Sequence, residues 1–191
     1  MKKIFIIEHL EPKLWEWCLI EYEHISETVG KENLWFTNIK NKSDEKKLSK
    51  FGKVFSQSVK DMPLNNICVL DPESDKTLSP ESSESFEYFL FGGILGDYPP
   101  KKRTQEELTK FIKNPSTFNI GKEQMSTDNA VFVVKNIIEG KKLGDLKFTD
   151  NISIEINDIE SVELPFRYTL LNGKPFMSEK IVKYLKKKKG F

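Results

Sequence analysis

The 191-residue sequence predicts an α/β sheet protein with a small β-hairpin and helix appended at its carboxyl end. Two patterns carry this prediction. Over the first three quarters of the chain, short apolar runs typical of buried strands alternate with stretches of helical apolar spacing. Over residues 150–191 the pattern changes to two alternating segments, an Asn-Gly turn and a lysine-rich helix. We expect one domain spanning residues 1–191, with residues 150–191 as a carboxyl-terminal extension.

The composition indicates a chain that folds on its own and does not hold long nucleic acid through a general positive charge. Hydrophobic residues make up 38% and charged residues 31%, and 14 phenylalanines supply apolar volume for a packed core. Lys and Arg number 30 against 29 Asp and Glu, which leaves a net charge of +1. This balance excludes a strong global excess of positive charge, although local basic patches remain open.

The cysteines and the amino terminus predict a reducing, cytoplasmic location. Cys18 and Cys68 lie within apolar stretches without Cys-x-x-Cys spacing, so we expect two buried free thiols and no metal site. The amino-terminal apolar run is too short for a signal peptide and is interrupted by Glu8 and His9. Because no apolar stretch approaches membrane-spanning length, we expect no membrane contact.

The beginning of the chain predicts two buried strands and one amphipathic helix. Lys3–Ile7 and Leu34–Thr37 are β-branched and aromatic runs typical of strands. Between them, Pro12 suits the first turn of a helix and Gly30 its end, with apolar residues at helical spacing in the intervening sequence. The charged stretch Asn41–Lys50 is expected to form an exposed loop or a short surface helix.

The middle of the chain predicts further strands joined by a surface segment and a short helix. Ile67–Leu70 and Phe86–Phe91 are apolar runs of strand length. Glu73–Ser85 between them is rich in Ser, Glu and Pro, which predicts a flexible surface connection. Thr104–Ile112 has the polarity pattern of a short helix, and Phe118–Gly121 predicts a short strand and turn.

The clearest helix in the sequence carries apolar residues at helical spacing from Ala130 to Ile138. Ser126 or Thr127 is its predicted cap, and Gly140 its end. The carboxyl-terminal extension then follows, with predicted strand segments at 152–156 and 162–168, a turn at 172–173 and a helix from residue 178.

Two glycine-containing turns are the strongest candidates for a ligand site. Gly92, Gly93 and Gly96 follow the fourth strand, which indicates positive φ angles or close approach of the backbone to a ligand, with a tight turn as the alternative. Their spacing differs from the dinucleotide fingerprint and from the phosphate loop, which argues against a Rossmann dehydrogenase and a nucleoside triphosphatase. The second turn, at 120–128, precedes the capped helix. Together with the strand end at 70–72, these turns are expected to converge at the carboxyl edge of one sheet, where α/β proteins bind ligands.

These segments together resemble the SPOUT methyltransferases, and within them the branch that methylates an arginine of a small-subunit ribosomal protein. The matching segments are Ile7-Glu8-His9-Leu10-Glu11 with Trp17 and Glu21-Tyr22, Leu70-Asp71-Pro72, Phe91-Gly92-Gly93-Ile94-Leu95-Gly96-Asp97 with Pro99-Pro100 and Arg103-Thr104, Gln124-Met125-Ser126-Thr127-Asp128-Asn129-Ala130, and Leu164-Pro165-Phe166-Arg167-Tyr168. The likeness spans nearly the whole chain, and the combination of motifs is specific. The sequence departs from the family pattern at Tyr98, where His is usual, and at Ser126, where Thr is usual.

The resemblance implies a SPOUT-type α/β sheet with a trefoil knot in its carboxyl half. It also implies that S-adenosylmethionine (SAM) is bound in a bent form, largely through backbone groups of the knot loops. Carried over by position, the SAM site consists of Leu70, Asp71, Pro72, Gly92, Gly93, Ile94, Leu95, Gly96, Asp97, Ile120, Gln124, Met125, Ser126 and Thr127.

Methyl transfer to arginine would require a carboxylate at the site. A guanidinium keeps its proton up to a pKa above about 12 and is a poor nucleophile, so the acceptor must be oriented and must lose a proton. Glu8, after the first strand, and Asp97, after the glycine turn, are the candidate catalytic residues. Capping or surface solvation is the alternative role of each. The sulfonium of SAM is itself cationic, so the chemistry needs no metal.

Further residues are candidates for binding the substrate. His9 is placed to shape the substrate entrance, with a strand-end hydrogen bond as the alternative, whereas His24 is expected on the surface. Arg103 and Arg167 are candidates for gripping a carboxylate of the cofactor or an acidic face of the partner, with ordinary salt bridges as the alternative. The lysine-rich segment Lys183–Lys189 predicts either a solvated helix end or a contact with ribosomal RNA.

Three functions remain open from the sequence. The leading one is methylation of an arginine side chain of a small-subunit ribosomal protein by a monomeric enzyme. The alternative is a SPOUT RNA methyltransferase acting on rRNA or tRNA, although the sequence offers only the terminal lysines as a basic platform for a nucleotide. The third is a non-catalytic binding module that kept the fold.

Overall fold

The computed structural model describes residues 2–97, 99, 101–157 and 159–187, and its centre is a parallel β-sheet of six strands. In chain order these are β1 (Ile4–His9), β2 (Leu34–Thr37), β3 (Lys53–Val54), β4 (Ile67–Leu70), β5 (Tyr88–Gly93) and β6 (Ser116–Phe118). They lie side by side in the order β3-β2-β1-β5-β4-β6, and each neighbouring pair is parallel. This sheet confirms the predicted α/β class.

The connections contain α-helices and shorter helical turns. The α-helices are α1 (Glu16–Val29), α2 (Lys42–Leu48), α3 (Pro80–Ser83), α4 (Thr127–Ile138) and α5 (Glu179–Lys187). Single 3-10 turns lie at Lys31–Asn33, Val59–Asp61, Thr109–Phe111 and Leu143–Asp145, and a π turn at Thr104–Leu108. The predicted helices that end near Gly30 and Gly140 are therefore present as α1 and α4. The charged stretch after β2 forms the short surface helix α2.

Strand β1 is the centre of the hydrophobic core because both of its faces are covered. All six of its residues are buried, as expected for a central strand of a parallel sheet. Phe5 and Ile7 face the larger cluster, to which α1 and α4 contribute. Ile4 and Ile6 face a second cluster on the other side of the sheet. The alternation of side chains along the strand thus decides which functional groups at its end share a face.

Helix α1 begins at Glu16, about one turn later than the predicted start at Pro12. The chain between β1 and α1 forms a bend in which the Glu11 carboxylate accepts a hydrogen bond from the Leu95 backbone N–H at 3.0 Å. This long-range bond accompanies a non-helical segment that ends at Trp15, whose backbone is extended, although the local sequence suits a helix start.

The segment Glu73–Ser85 is not the flexible connection that its composition predicts. Its backbone pairs with Asn119 just after β6, since Asn119 N–H donates to the Lys76 carbonyl at 2.7 Å and Leu78 N–H donates to the Asn119 carbonyl at 2.9 Å. Leu78 is only 1% exposed. Ser79 then caps the short helix α3. The ordering comes from partners more than 40 residues away, which composition does not reveal.

Two neighbouring predictions also shift. Thr104–Ile112 forms the π and 3-10 turns in place of a regular helix, and the Thr109 hydroxyl donates to the buried Asp71 carboxylate at 2.7 Å. That bond ties the turn to the end of β4. The strand predicted at Phe118–Gly121 begins earlier, as β6 at Ser116–Phe118.

Residues after α4 build a separate antiparallel sheet with a helix against α1. Its strands are β7 (Phe148–Glu155), β8 (Ser161–Leu171) and β9 (Lys174–Pro175), in the order β7-β8-β9. Their apolar residues, with those of α5, form a third cluster that also includes Trp17 of α1. The Tyr184 ring meets the Trp17 ring edge to face at 6.1 Å, and Lys180 forms an ion pair with Glu23 at 2.6 Å.

Two smaller observations concern the cysteines and the helices. Cys18 and Cys68 are buried and free, and burial raises the pKa of both thiols to about 12. No helix within the described residues has both the length and the apolar character needed to cross a membrane.

We predict that Gly93→Ala destabilises the fold by about 1–3 kcal/mol, the usual cost of overpacking a core. An added Cβ would overlap the Tyr22 hydroxyl and lie 2.9 Å from Ile7 Cγ2 and 3.1 Å from the Glu8 carbonyl oxygen. Urea unfolding measures this cost. Gly144→Ala is the control, because a Cβ there meets nothing within 4 Å. If the two variants unfold with equal free energies, the close packing at Gly93 makes no contribution to stability.

Candidate functional site

A cavity of about 260 Å³ opens at the carboxyl ends of β4, β5 and β6. Its walls come from residues 70–73 at the end of β4, from residues 91–92 at the end of β5 and 94–97 after it, and from residues 120–125 before α4. Because these strands are parallel, their carboxyl ends meet at one edge of the sheet. Residues 101–104, Thr127 and Ala130 complete the lining.

Most of the residues predicted to hold SAM form this wall. They are Leu70, Asp71, Pro72, Gly92, Ile94, Leu95, Gly96, Asp97, Ile120, Gln124, Met125 and Thr127. Gly93 and Ser126 lie outside the lining. Gly93 packs into the core against Tyr22, and the Ser126 hydroxyl donates to the Asp128 carboxylate at 2.6 Å.

The two glycine-containing turns touch each other through Gln124. The Gln124 amide satisfies the Asp97 backbone when its oxygen faces the Asp97 N–H and its nitrogen faces the Asp97 carbonyl. It then accepts from the N–H at 3.3 Å and donates to the carbonyl at 3.1 Å. At Gly96 an added Cβ would overlap both the Gln124 amide and the Phe166 ring. Positive φ occurs at Gly121 but not at Gly92 and Gly93, which end β5, or at Gly96, which follows it. Positive φ therefore does not explain these three glycines, and what the structure shows at Gly93 and Gly96 is close packing against protein atoms.

Glu8, one of the two candidate catalytic residues, lies away from the cavity. It is 2% exposed, and its carboxylate accepts hydrogen bonds from the Thr37 hydroxyl, the Ser58 hydroxyl and the Val59 backbone N–H. The alternation along β1 turns it toward the cluster that contains Val59. Its carboxylate therefore joins β1 to β2 and to the turn at Ser58, and it is not among the cavity residues.

Asp97, the other candidate, lines the cavity with a side chain that is 31% exposed. Its carboxylate pairs with Lys101 at 3.1 Å and lies 3.9 Å from the Arg103 guanidinium. Asp97 therefore presents a carboxylate that is accessible and surrounded by cations. The side chain of Lys101 is 65% exposed, so solvent reaches this ion pair.

Arg103 and Arg167 are both occupied within the protein. Arg103 lines the cavity and bonds Glu11 at 2.9 Å and Glu107 at 2.7 Å, and these hydrogen bonds, that to Glu107 first, raise its pKa. Arg167 lies outside the lining and holds Asp150 at 2.8 and 3.0 Å and Glu123 at 2.6 Å. The salt-bridge alternative describes both residues.

His9 is buried beside α1 and does not reach the cavity lining. Its Nδ1 lies 2.9 Å from the Tyr22 hydroxyl. Burial lowers the pKa of His9, although the charges of Glu11 and Asp44 oppose this shift. The strand-end hydrogen bond, the alternative to a substrate-binding role, is the contact observed.

A buried carboxylate pair directly behind Thr127 was not expected from the sequence. Glu21 accepts from the Trp17 indole N–H at 2.7 Å, and Asp128 pairs with His24 at 2.7 Å. Burial, followed by the charge of Asp128, raises the pKa of Glu21 well above its usual value. The spacing of Trp17, Glu21 and His24 on one helix face is visible in the sequence, but their partner on α4 is not. His24, which was predicted on the surface, is instead the partner of Asp128 in this buried group.

Charged residues at the cavity mouth were also missed. Lys101, Lys102, Lys122, Glu73 and Glu123 all line it. Lys102 pairs with Glu73, and Lys122 donates to the Ser74 carbonyl at 2.7 Å. These residues sit in polar stretches of sequence that resemble ordinary surface, so nothing local marks them.

We predict that Glu21→Gln raises the free energy of unfolding at pH 8 and that the gain shrinks as the pH falls to 4. The folded state favours the protonated acid, so its contribution is lost as pH rises through the elevated pKa of Glu21. Gln mimics the neutral acid and keeps the acceptor for Trp17. Urea unfolding at several pH values measures the effect, with the exposed Glu16→Gln on the same helix as the control. A Glu21→Gln protein less stable than wild type at pH 8 would contradict this.

Comparison with known proteins places the chain in a family. A family model described as "Protein arginine N-methyltransferase SFM1-like" matches residues 4–190. The chain is 36% identical over 200 residues to the protein arginine N-methyltransferase SFM1 of Saccharomyces cerevisiae, covering 96% of this chain and 94% of the relative. Its fold is similar to crystal structures of the yeast arginine methyltransferase SFM1 complexed with SAM (TM-score 0.89, 35% identity, 98% of this chain and 91% of that chain) and with SAH (TM-score 0.86, 35% identity, 95% and 94%). The chain therefore belongs to the SFM1-like family of protein arginine methyltransferases, which have the SPOUT fold, as its motifs indicated.

Proposed function

We propose that this chain is a SAM-dependent methyltransferase that modifies an arginine side chain of a small-subunit ribosomal protein, as a monomer in the cytoplasm. The observation that carries the proposal is the cavity at the carboxyl ends of β4, β5 and β6, formed by the segments that match the family motifs. The yeast relative, 36% identical, has been crystallised with SAM and with SAH.

The cavity suits a cofactor held by main-chain and apolar groups. Leu70, Ile94, Leu95 and Ile120 supply apolar wall, and at Gly96 there is no space for a side chain beside Gln124 and Phe166. Gly96 thereby brings bare backbone to the cavity surface. When bound, SAM supplies a methyl group on a cationic sulfur.

Asp97 is the carboxylate that we assign to the acceptor. Asp97 lines the cavity with a partly exposed carboxylate. The Glu8 carboxylate instead accepts hydrogen bonds from three donors inside the protein. Asp97 would orient the guanidinium and accept the proton that the arginine nitrogen loses. We assign Glu8 and His9 to holding the end of β1, and Arg103 to holding the loop after β5.

The proposal includes the trefoil knot and the carboxyl-terminal extension implied by the resemblance. The segment leading to α4 is bonded on one side to residues 76–78, through Asn119, and on the other to Asp97, through Gln124. Contact of this segment with two earlier loops is compatible with the knotted path that the resemblance implies. Residues 148–187 form their own small sheet and helix, which supports treating them as an extension of the same domain.

We also propose that the lysine-rich end of the chain contacts ribosomal RNA when the substrate sits in a ribosomal subunit. Within the described part of that segment, Lys186 and Lys187 lie in the last turn of α5, and Lys183 is next to Glu179 at 3.8 Å. Lys188 and Lys189 lie outside the described residues. Contacts of this kind weaken steeply with salt, because phosphate binding releases counterions.

The acceptor is decided by incubating the protein with methyl-labelled SAM and small ribosomal subunits, and then separating protein from RNA. We expect the label in one ribosomal protein and, after acid hydrolysis, in methylarginine. Label in the rRNA, or in tRNA supplied as a competing substrate, would replace this function with the RNA alternative. No transfer to any component despite SAM binding would favour a binding module.

We predict that Asp97→Asn lowers kcat by about 10²-fold or more, within the range usual for general acid–base groups, and changes SAM affinity little. The asparagine keeps the size of the side chain and the backbone bonds to Gln124, but it cannot accept the proton. Transfer rates at saturating SAM and calorimetric titration separate the two effects. Glu106→Gln, an exposed carboxylate on the neighbouring turn, is the control. An unchanged kcat in Asp97→Asn would remove Asp97 from the mechanism.

A further inference from the structure

Arg103 holds the loop after β5 together with Glu11, a residue to which the proposed function gives no role. Strand pairing between β1 and β5 continues one step past His9, since Leu10 N–H donates to the Gly93 carbonyl at 3.2 Å. Beyond that point the backbone pairing of the two segments ends. The next groups to meet are the Glu11 side chain and the Leu95 backbone, 84 residues apart in sequence.

Both polar groups of the Leu95 backbone are held by one ion pair. The Leu95 N–H donates to Glu11 Oε1 at 3.0 Å, and its carbonyl accepts from Arg103 Nη1 at 3.3 Å. The same Arg103 nitrogen donates to the same Glu11 oxygen at 2.9 Å. The Glu11–Arg103 pair thus takes the place of a strand partner for a residue that lines the cavity.

The pair also holds both ends of the segment that carries Asp97. Leu95 lies at its beginning and Arg103 at its end, and Glu11 binds the two at once. The Glu11 side chain is 10% exposed and that of Arg103 is 22% exposed, so solvent screens their attraction only in part. Hydrogen bonds to charged groups of this kind are stronger than those between neutral groups.

Glu107 offers an internal comparison. It binds the same Arg103 guanidinium at 2.7 and 3.1 Å but has no bond to Leu95. Loss of Glu107 would remove a charge partner of Arg103 and leave the Leu95 bonds in place. Loss of Glu11 would remove the acceptor of the Leu95 N–H itself.

We propose that Glu11 is a positioning residue that fixes the Ile94–Asp97 loop, by binding the Leu95 N–H and Arg103 together, in the shape that receives the methyl donor. The inference rests on the proposed function. Glu11 touches neither cofactor nor substrate in this role. It acts through the backbone that forms the cavity wall, so its loss is felt as weaker cofactor binding and a looser loop.

The first measurement needs no cofactor. Hydrogen exchange of peptides covering residues 94–97 reports whether the Leu95 amide is protected. We expect protection in the wild type and in Glu107→Gln, and fast exchange in Glu11→Ala. Glu11→Gln keeps an oxygen that can accept from the Leu95 N–H, so protection is expected to be partly restored. Equal protection in Glu11→Ala and the wild type would overturn the inference without touching the proposed function.

The second measurement is calorimetric titration with SAM, followed by transfer rates. We expect Glu11→Ala to weaken SAM binding by about tenfold or more, the order of one lost charge-assisted hydrogen bond, with Glu11→Gln between it and the wild type. Glu107→Gln should bind within about twofold of the wild type, as expected for one exposed ion pair. The KM for SAM should rise in Glu11→Ala, whereas kcat at saturating SAM should stay unchanged. Bound SAM contacts the Ile94–Asp97 loop and would hold it in its binding shape without Glu11.

A purely structural role gives a different pattern. Glu11→Ala would then lower the melting temperature and the active fraction while the folded protein kept its SAM affinity, and this result would overturn the inference. If the wild type itself binds no SAM, the proposed function fails first, and the exchange data still decide whether Glu11 orders the loop.

Discussion

The cavity depends on a close contact in which Gly96 lies directly against the Gln124 amide and the Phe166 ring. Three parts of the chain meet there, namely the loop after β5, the segment before α4 and strand β8. A side chain at Gly96 would push them apart. Gly96 is itself exposed and lines the cavity, so its backbone borders the cavity while it packs against these two side chains. The Gln124 bonds to the Asp97 backbone then set the relative position of the first two parts.

The charges around the cavity are arranged so that most are already paired inside the protein. Arg103 is shared between Glu11 and Glu107, and Arg167 between Asp150 and Glu123. Such pairs shape backbone more than they attract a ligand. The Asp97 carboxylate is accessible, and its partner Lys101 has a long, exposed side chain. This ion pair is the one best suited to exchange one cation for another. In the proposed reaction, Asp97 is the carboxylate that we assign to the arginine guanidinium.

The end of β1 illustrates what local sequence can and cannot tell. The strand, its burial and its abrupt change to polar residues were predicted correctly from the apolar run that precedes Glu8. Successive side chains on a strand point to opposite faces, so Glu8 and His9 separate, one toward Ser58 and the other toward Tyr22. Neither lines the cavity. Which face meets the site depends on where the neighbouring strand ends, and that is a property of the sheet.

The sequence by itself determined the α/β class, the main strands and helices, the family, and most residues of the cavity wall, because hydrophobic periodicity and motif spacing are local. Tertiary structure alone decided the late start of α1, the order in Glu73–Ser85, and the burial of Glu21 near the charge of Asp128. Each of these rests on a partner distant in the chain: Leu95 for Glu11, Asn119 for residues 76–78, and α4 for Glu21. Hydrogen bonds and desolvation act between groups that folding brings together, and no local pattern records them.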